Sequence, residues 1–163
     1  MKFRQASSED IKQIMTLLPN DIIDKSRFKN LNKLLKEKGI ISQVIESEEK
    51  NIIGVSLGYT KKLLQKSYFK QDKIIAHLLA TIQYDFIFFD IFKVGKQEQN
   101  KGFERMLIYS FLDECKGKTI IAAIPEDGKE ELIKYTQITF MRFDQIAQIT
   151  INNANYLIYE KDN

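Results

Sequence analysis

The stretch Val94-Gly95-Lys96-Gln97-Glu98-Gln99-Asn100-Lys101-Gly102-Phe103-Glu104-Arg105-Met106-Leu107 carries the clearest chemistry in this chain. It reads as the end of a strand, a polar glycine-bearing turn and the start of an amphipathic helix. Such a turn aims several backbone N–H groups, backed by the helix dipole, at one point. That geometry suits a phosphate or pyrophosphate. Gly102 allows close backbone approach, and Lys96, Lys101 and Arg105 add positive charge nearby. The turn has neither the Lys-Ser/Thr ending of a P-loop nor the three glycines of a dinucleotide fingerprint. Glu104 is the awkward member, because a carboxylate in the first helical turn competes for the same N–H groups and repels a phosphate. The expectation is that its side chain swings out to solvent.

A second candidate precedes the turn. Asp90 interrupts the apolar run Phe86 to Phe92, four residues before Val94, so an unbroken strand would turn both side chains to one face. A carboxylate buried among phenylalanines suits a general base, or it hydrogen-bonds a neighbouring loop or helix end. His77 stands alone in an amphipathic pattern and reads as a surface or packing residue. Cys115 is the single cysteine, which excludes an internal disulfide and suits a reducing compartment.

The elements that must position these residues can be read in order. Lys2 to Ala6 alternates like a short strand, and Ser7-Ser8-Glu9-Asp10 is an N-cap signal for a helix ending at Pro19-Asn20. A second helix is expected from Asp21 to Lys38, closed by Gly39. Ile40 to Glu46 and Ile52 to Thr60 flank a turn and form a hairpin. Residues 61–83 fit a helix through Ile74, Ile75, Leu78, Leu79 and Ile82, with a strand as the alternative. Tyr84 to Val94 reads as a central strand buried on both faces. A helix then runs to about Cys115, with Phe103, Met106, Leu107, Phe111 and Leu112 turned inward. Thr119 to Ile124 is a strand, Asp127 to Ile138 a helix, and Arg142 to Ile151 and Tyr156 to Glu160 are strands about an Asn152-Asn153 turn. The order describes one mixed α/β domain over residues 1–163.

Composition limits the function. Apolar residues make up 44% and charged residues 29%, as in an ordinary globular protein. No apolar run is long enough to span a bilayer, and the polar N-terminus is unlike a signal peptide, so a cytoplasmic protein without a membrane role is expected. Residues 1–81 hold 15 basic and 9 acidic residues, against 10 and 13 in residues 82–163. The lysines are interleaved with acids and there is no Arg-rich tract, which argues against a nucleic-acid surface.

With these residues in place, the chain resembles the GNAT superfamily of acyl-CoA-dependent N-acyltransferases, in element order and across nearly its whole length. The family's acyl-CoA signature is an Arg or Gln, two residues, Gly, one residue, then Gly or Ala. Gln99 and Gly102 match its first two fixed positions, and Glu104 stands at the third. Val94 matches the strand-end residue whose backbone pairs with the pantetheine arm. Tyr135 and Phe140 keep the spacing of a helical Tyr followed by a Gly-Phe pair, although Thr139 replaces that Gly and Gly128 replaces an Asn often found upstream.

The resemblance implies acetyl-CoA as co-substrate, no metal, and direct attack by an amine of a small molecule or protein. It implies a cofactor site at Val94, Gln99, Asn100, Lys101, Gly102, Phe103, Glu104 and Arg105. Tyr135 would be the general acid for the coenzyme A thiolate and Asp90 the candidate base. A homodimer is a common state in the superfamily. The departures at Glu104, Gly128 and Thr139 leave a second reading open, a catalytically degenerate CoA-binding or regulatory module.

Overall fold

The computed structural model describes residues 1–127 and 141–163. Seven strands form one mixed sheet: β1 (Lys2–Arg4), β2 (Ile40–Glu46), β3 (Ile52–Thr60), β4 (Ile87–Val94), β5 (Thr119–Pro125), β6 (Asp144–Ile151) and β7 (Ala154–Asp162). Their spatial order is β1-β2-β3-β4-β5-β7-β6. Among the described residues only β4 and β5 are parallel neighbours, and the helix between them crosses over the sheet. The β2–β3 and β6–β7 hairpins are local. In the second, Asn152 and Asn153 take left-handed φ values of 52° and 64°, as the tight turn requires.

Alternation along the strands divides the core into two layers. One face buries Val55, Leu57, Tyr59, Phe88 and Ile91 against the first helices. The other buries Phe89, Phe92 and Val94 against Leu107, Ile108 and Phe111 of α7 (Phe103–Glu114). Here α1 to α6 are Ile11–Leu17, Asn20–Ile23, Ser26–Lys29, Leu31–Leu34, Lys61–Leu64 and Lys73–Thr81.

Two expectations change. The single helix expected from Asp21 to Lys38 is three one-turn helices, α2, α3 and α4. Lys25 is extended (ψ 140°) and Asn30 leaves helical geometry (φ −113°), while the Asn30 side chain donates to the Ser26 carbonyl. Local polar side chains thus compete with the helical ladder, and the apolar positions Ile22, Phe28, Leu31 and Leu34 still face the core. Met106 is 50% exposed, and Ile108 takes an inward place on α7. Residues 61–83 contain α5 and α6, so the helical period was the right one there. The helix expected from Asp127 to Ile138 lies almost wholly outside the described residues. Among the described residues, no helix is long and apolar enough to cross a membrane.

Arg4 ties the N-terminal strand to the rest. Its guanidinium donates to Asp10 at 2.7 and 2.8 Å and to Glu46 on β2. Asp10 in turn accepts from the Ser7 backbone N–H at 2.7 Å. The Arg4 hydrogen bonds hold the Asp10 carboxyl below its ordinary value of 3.8. A lowered folded-state pKa means that this stabilisation is full at neutral pH and fades as pH falls through the folded-state value. Asp10→Asn should therefore be less stable than the parent at pH 7, with the gap narrowing in urea melts as pH falls below 3.8 and through the folded-state value. A close approach on the other face gives a second expectation. A Cβ at Gly58 would stand 2.6 Å from the Phe111 ring and 3.1 Å from the Phe88 carbonyl. Gly58→Ala should cost about 1–3 kcal/mol by urea denaturation, and Phe111→Leu in the same chain should recover part of that loss.

Candidate functional site

The site begins where two parallel strands part. β4 pairs with β5 only from Ile87↔Ile120 to Phe89↔Ala122, although β4 runs on to Val94 and β5 to Pro125. β3 follows β4 all the way to Gly54↔Val94. Beyond Phe89 the strand therefore stays paired on one side and leaves β5 on the other.

A bulge marks the point of departure. Gly58 pairs with Phe89 and Leu57 pairs with Ile91, so Asp90 is an extra residue on β4. One inserted residue reverses the alternation downstream. Asp90 and Ile91 belong to the face of Tyr59 and α3, whereas Phe92 and Val94 belong to the face of α7. The expectation that Asp90 and Val94 share a face is thus corrected: the four-residue count is right, but the strand is not regular.

Nor does Asp90 sit alone among phenylalanines. Arg27 of α3 donates through Nε and Nη2 to its two oxygens at 2.8 and 2.9 Å, and the Tyr59 hydroxyl donates to Oδ2 at 2.9 Å. The remaining Arg27 nitrogen, Nη1, donates to Asp72 at 2.8 Å, and Asp72 also accepts the Ile75 N–H at the start of α6. Burial works against the Arg27 charge, but Asp90 foremost, with Tyr59 and Asp72, outweighs it and keeps the guanidinium protonated. Burial, reinforced by the Asp90 charge, pushes the Tyr59 phenol well above its usual value, so it remains a donor.

Arg27, Asp72 and Tyr59 were not singled out in the sequence. One signal could have found the first: a buried carboxylate in a central strand demands a cation, and an Arg beside Phe28 among lysines is the fit for two-pronged pairing.

The network forms one wall of a cleft of about 610 Å³, lined also by Asp21, Lys25, Lys93 and Asp127. A second cavity of about 340 Å³ shares Lys25, Arg27, Asp72 and Tyr156 with it. The lining comes from the α2–α3 region, the start of α6, the splayed strands and the last hairpin.

On the α7 side, the turn after Val94 has the geometry of an anion cradle. A short helical turn, Lys96–Glu98, leads to Gln99 in an extended conformation. Asn100 (φ 64°) and Gly102 (φ 88°) are left-handed, and nothing lies within 4 Å of where a Gly102 Cβ would be. The first N–H groups of α7 have no intrahelical acceptor and point out of this turn. Val94, Gln99, Asn100 and Glu104 are drawn together. Gln99 Nε2 donates to the Val94 carbonyl at 3.1 Å, and the Asn100 N–H donates to Glu104 Oε1 at 2.9 Å. Lys101 pairs with Glu98, and Arg105 is exposed on the first turn of the helix.

The expectation that Glu104 turns to solvent fails. It is 7% exposed and folded back onto the turn, because an N–H donor and the positive helix end lie within reach. Tyr135, Thr139, Phe140 and Gly128 lie outside the described residues.

No sequence-family profile and no curated protein matches this chain. Solved structures do match it over nearly its full length. The NAA60 protein of Arabidopsis thaliana, solved with a bisubstrate analogue, aligns with a TM-score of 0.67 at 11% identity, covering 98% of this chain and 96% of that one. The same plant protein solved with acetyl-CoA gives a TM-score of 0.64 at 11% identity, over 98% and 97% of the two chains. An N-acetyltransferase from Staphylococcus aureus Mu50 aligns at 0.67 and 16% identity, over 99% and 100%. A GNAT-family acetyltransferase from Bacillus cereus aligns at 0.60 and 11% identity, over 99% and 96%. Together with the seven-stranded mixed sheet and its flanking helices, these likenesses give the chain the fold of the GNAT-family acetyltransferases.

Proposed function

We propose that this chain is an acetyl-CoA-dependent N-acetyltransferase acting on an amine of a small molecule or protein. One observation carries the reading: the gap between β4 and β5 lies between a glycine-bearing helix N-terminus and an open cleft. A thioester donor and an amine can meet only if each has its own approach, and the gap supplies a passage between the two.

In this reading the N–H groups from Gln99 to Arg105 hold the pyrophosphate, with Lys101 and Phe103 in the same turn. The pantetheine arm lies in the gap and pairs with backbone groups near Val94, as an added strand would. The amine enters from the cleft and attacks the thioester directly. Most of the acceleration then comes from holding the two reactants in line. Tyr135 donates a proton to the leaving thiolate, which a phenol with an ordinary pKa of about 10 can do at neutral pH.

Asp90 lines the acceptor side of the cleft. Its oxygens already accept three hydrogen bonds from Arg27 and Tyr59, which favours a positioning role over that of base. The seat that Glu104 takes in the cradle favours a second reading, a module of this fold that binds without transferring.

Thermal shift separates these readings from an unrelated function. Acetyl-CoA at about 100 times its dissociation constant should add about 2.7 kcal/mol of stability. No shift at millimolar ligand would remove both the transferase and the CoA-binding reading. Given a shift, thiol release across a panel of amines tells transferase from silent binder. Tyr135→Phe should then lower kcat at least tenfold while leaving acetyl-CoA affinity within about twofold. For the network, Arg27→Met and Asp90→Asn should each cost about 3–5 kcal/mol in urea melts, because each strands a buried partner. The double variant should cost clearly less than the sum, and simple additivity would mean that the pair is not coupled.

A further inference from the structure

Two side chains of the cradle occupy backbone groups that the proposed donor needs, and each does so with chemistry that the donor would bring. Glu104 sets a carboxylate oxygen on the Asn100 N–H, inside a turn shaped for a phosphate oxygen. Gln99 sets an amide N–H on the Val94 carbonyl, beside the gap where a pantetheine amide would pair. Neither contact is an incidental surface arrangement. Glu104 is buried although it carries a charge, and Gln99 is partly buried. The positive φ at Asn100 turns its N–H inward towards the carboxylate, while the space beside Gly102 stays open.

We propose that Glu104, with Gln99 beside it, is an internal stand-in for the acyl donor, and that Glu104 sets donor affinity by competing for the pyrophosphate cradle. The inference rests on the acetyl-CoA reading above. Donor binding becomes an exchange. The pyrophosphate displaces one carboxylate from the helix end, and the pantetheine arm displaces one amide from the strand end. The amide exchange is close to neutral, since one N–H donor replaces another at the same carbonyl. The carboxylate exchange is not. Glu104 is tethered within two residues of Gly102, so its charge stays close to the incoming phosphates even after it has moved. The nearest lysine in the turn cannot offset this freely, because Lys101 is already paired with Glu98 at 3.1 Å.

Glu104→Gln tests the charge without removing the contact, since its carbonyl oxygen can still accept the Asn100 N–H. Calorimetric titration of the full chain with acetyl-CoA should give about tenfold tighter binding for Glu104→Gln than for the parent. Binding of S-acetylpantetheine, which carries no phosphate, should be the same for both. Glu114→Gln removes the same charge at the far, exposed end of α7 and should leave acetyl-CoA affinity unchanged. Equal or weaker acetyl-CoA binding by Glu104→Gln, with a parent that does bind, would overturn the stand-in and leave the donor site intact. A gain shared by S-acetylpantetheine or by Glu114→Gln would also overturn it, since the effect would then not act through the phosphates. If neither the parent nor Glu104→Gln binds acetyl-CoA, the donor reading itself fails.

Discussion

Arg27 holds together two carboxylates from distant parts of the chain, Asp90 in the middle of the central strand and Asp72 at the start of α6. Asp90 could not be buried without it, and its own charge could not be buried without the two carboxylates. The arrangement spans α3, α6, β3 and β4, with Tyr59 completing the shell around Asp90. The short helices after Pro19 have little length of their own to stabilise them. Their position over the sheet depends on apolar anchors such as Phe28 and on this one guanidinium, which also stacks near the Phe28 and Phe69 rings. The cleft exists because this layer is held at a fixed height above the splayed strands.

Fold and site were legible to different degrees, for physical reasons. The hairpins, the buried central strand and α7 could be read because each is set by a local period or a turn. The stretch from Asp21 to Lys38 was misread because its apolar positions suit a continuous helix, while the Asn30 side chain donates back to the Ser26 carbonyl and the Ser26 hydroxyl donates across the fold to the Tyr68 carbonyl. The glycine-bearing turn before α7 was legible because its signal lies within a dozen consecutive residues. The ion network was not, since Arg27 and Asp90 are 63 positions apart and only the folded sheet brings them together. Met106 shows the limit of a helical wheel: the apolar stripe was right, but its width was overestimated by one position.

Glu104 is a case where the sequence posed the correct question and a local force decided it. Two outcomes looked available, exposure to water or loss of the site. The helix end supplied a third, in which the carboxylate takes one donor of the cradle for itself. The left-handed Asn100 makes this possible, since an ordinary extended residue there would aim its N–H elsewhere. The turn is thereby held by one of its own side chains.

The extra residue at Asp90 also governs which changes to the gene the chain can tolerate. A substitution in β4 alters one side chain. Deleting the codon for Asp90 would restore a regular strand and leave the faces of Ile91, Phe92 and Val94 as they are, because Gly58↔Phe89 and Leu57↔Ile91 already pair across the extra residue. The cost would fall on the cleft, where Arg27 and the Tyr59 hydroxyl would lose the carboxylate they share. A strand can thus shed a residue at its bulge and keep both of its faces, so the length of β4 is free at this one point and fixed on either side of it.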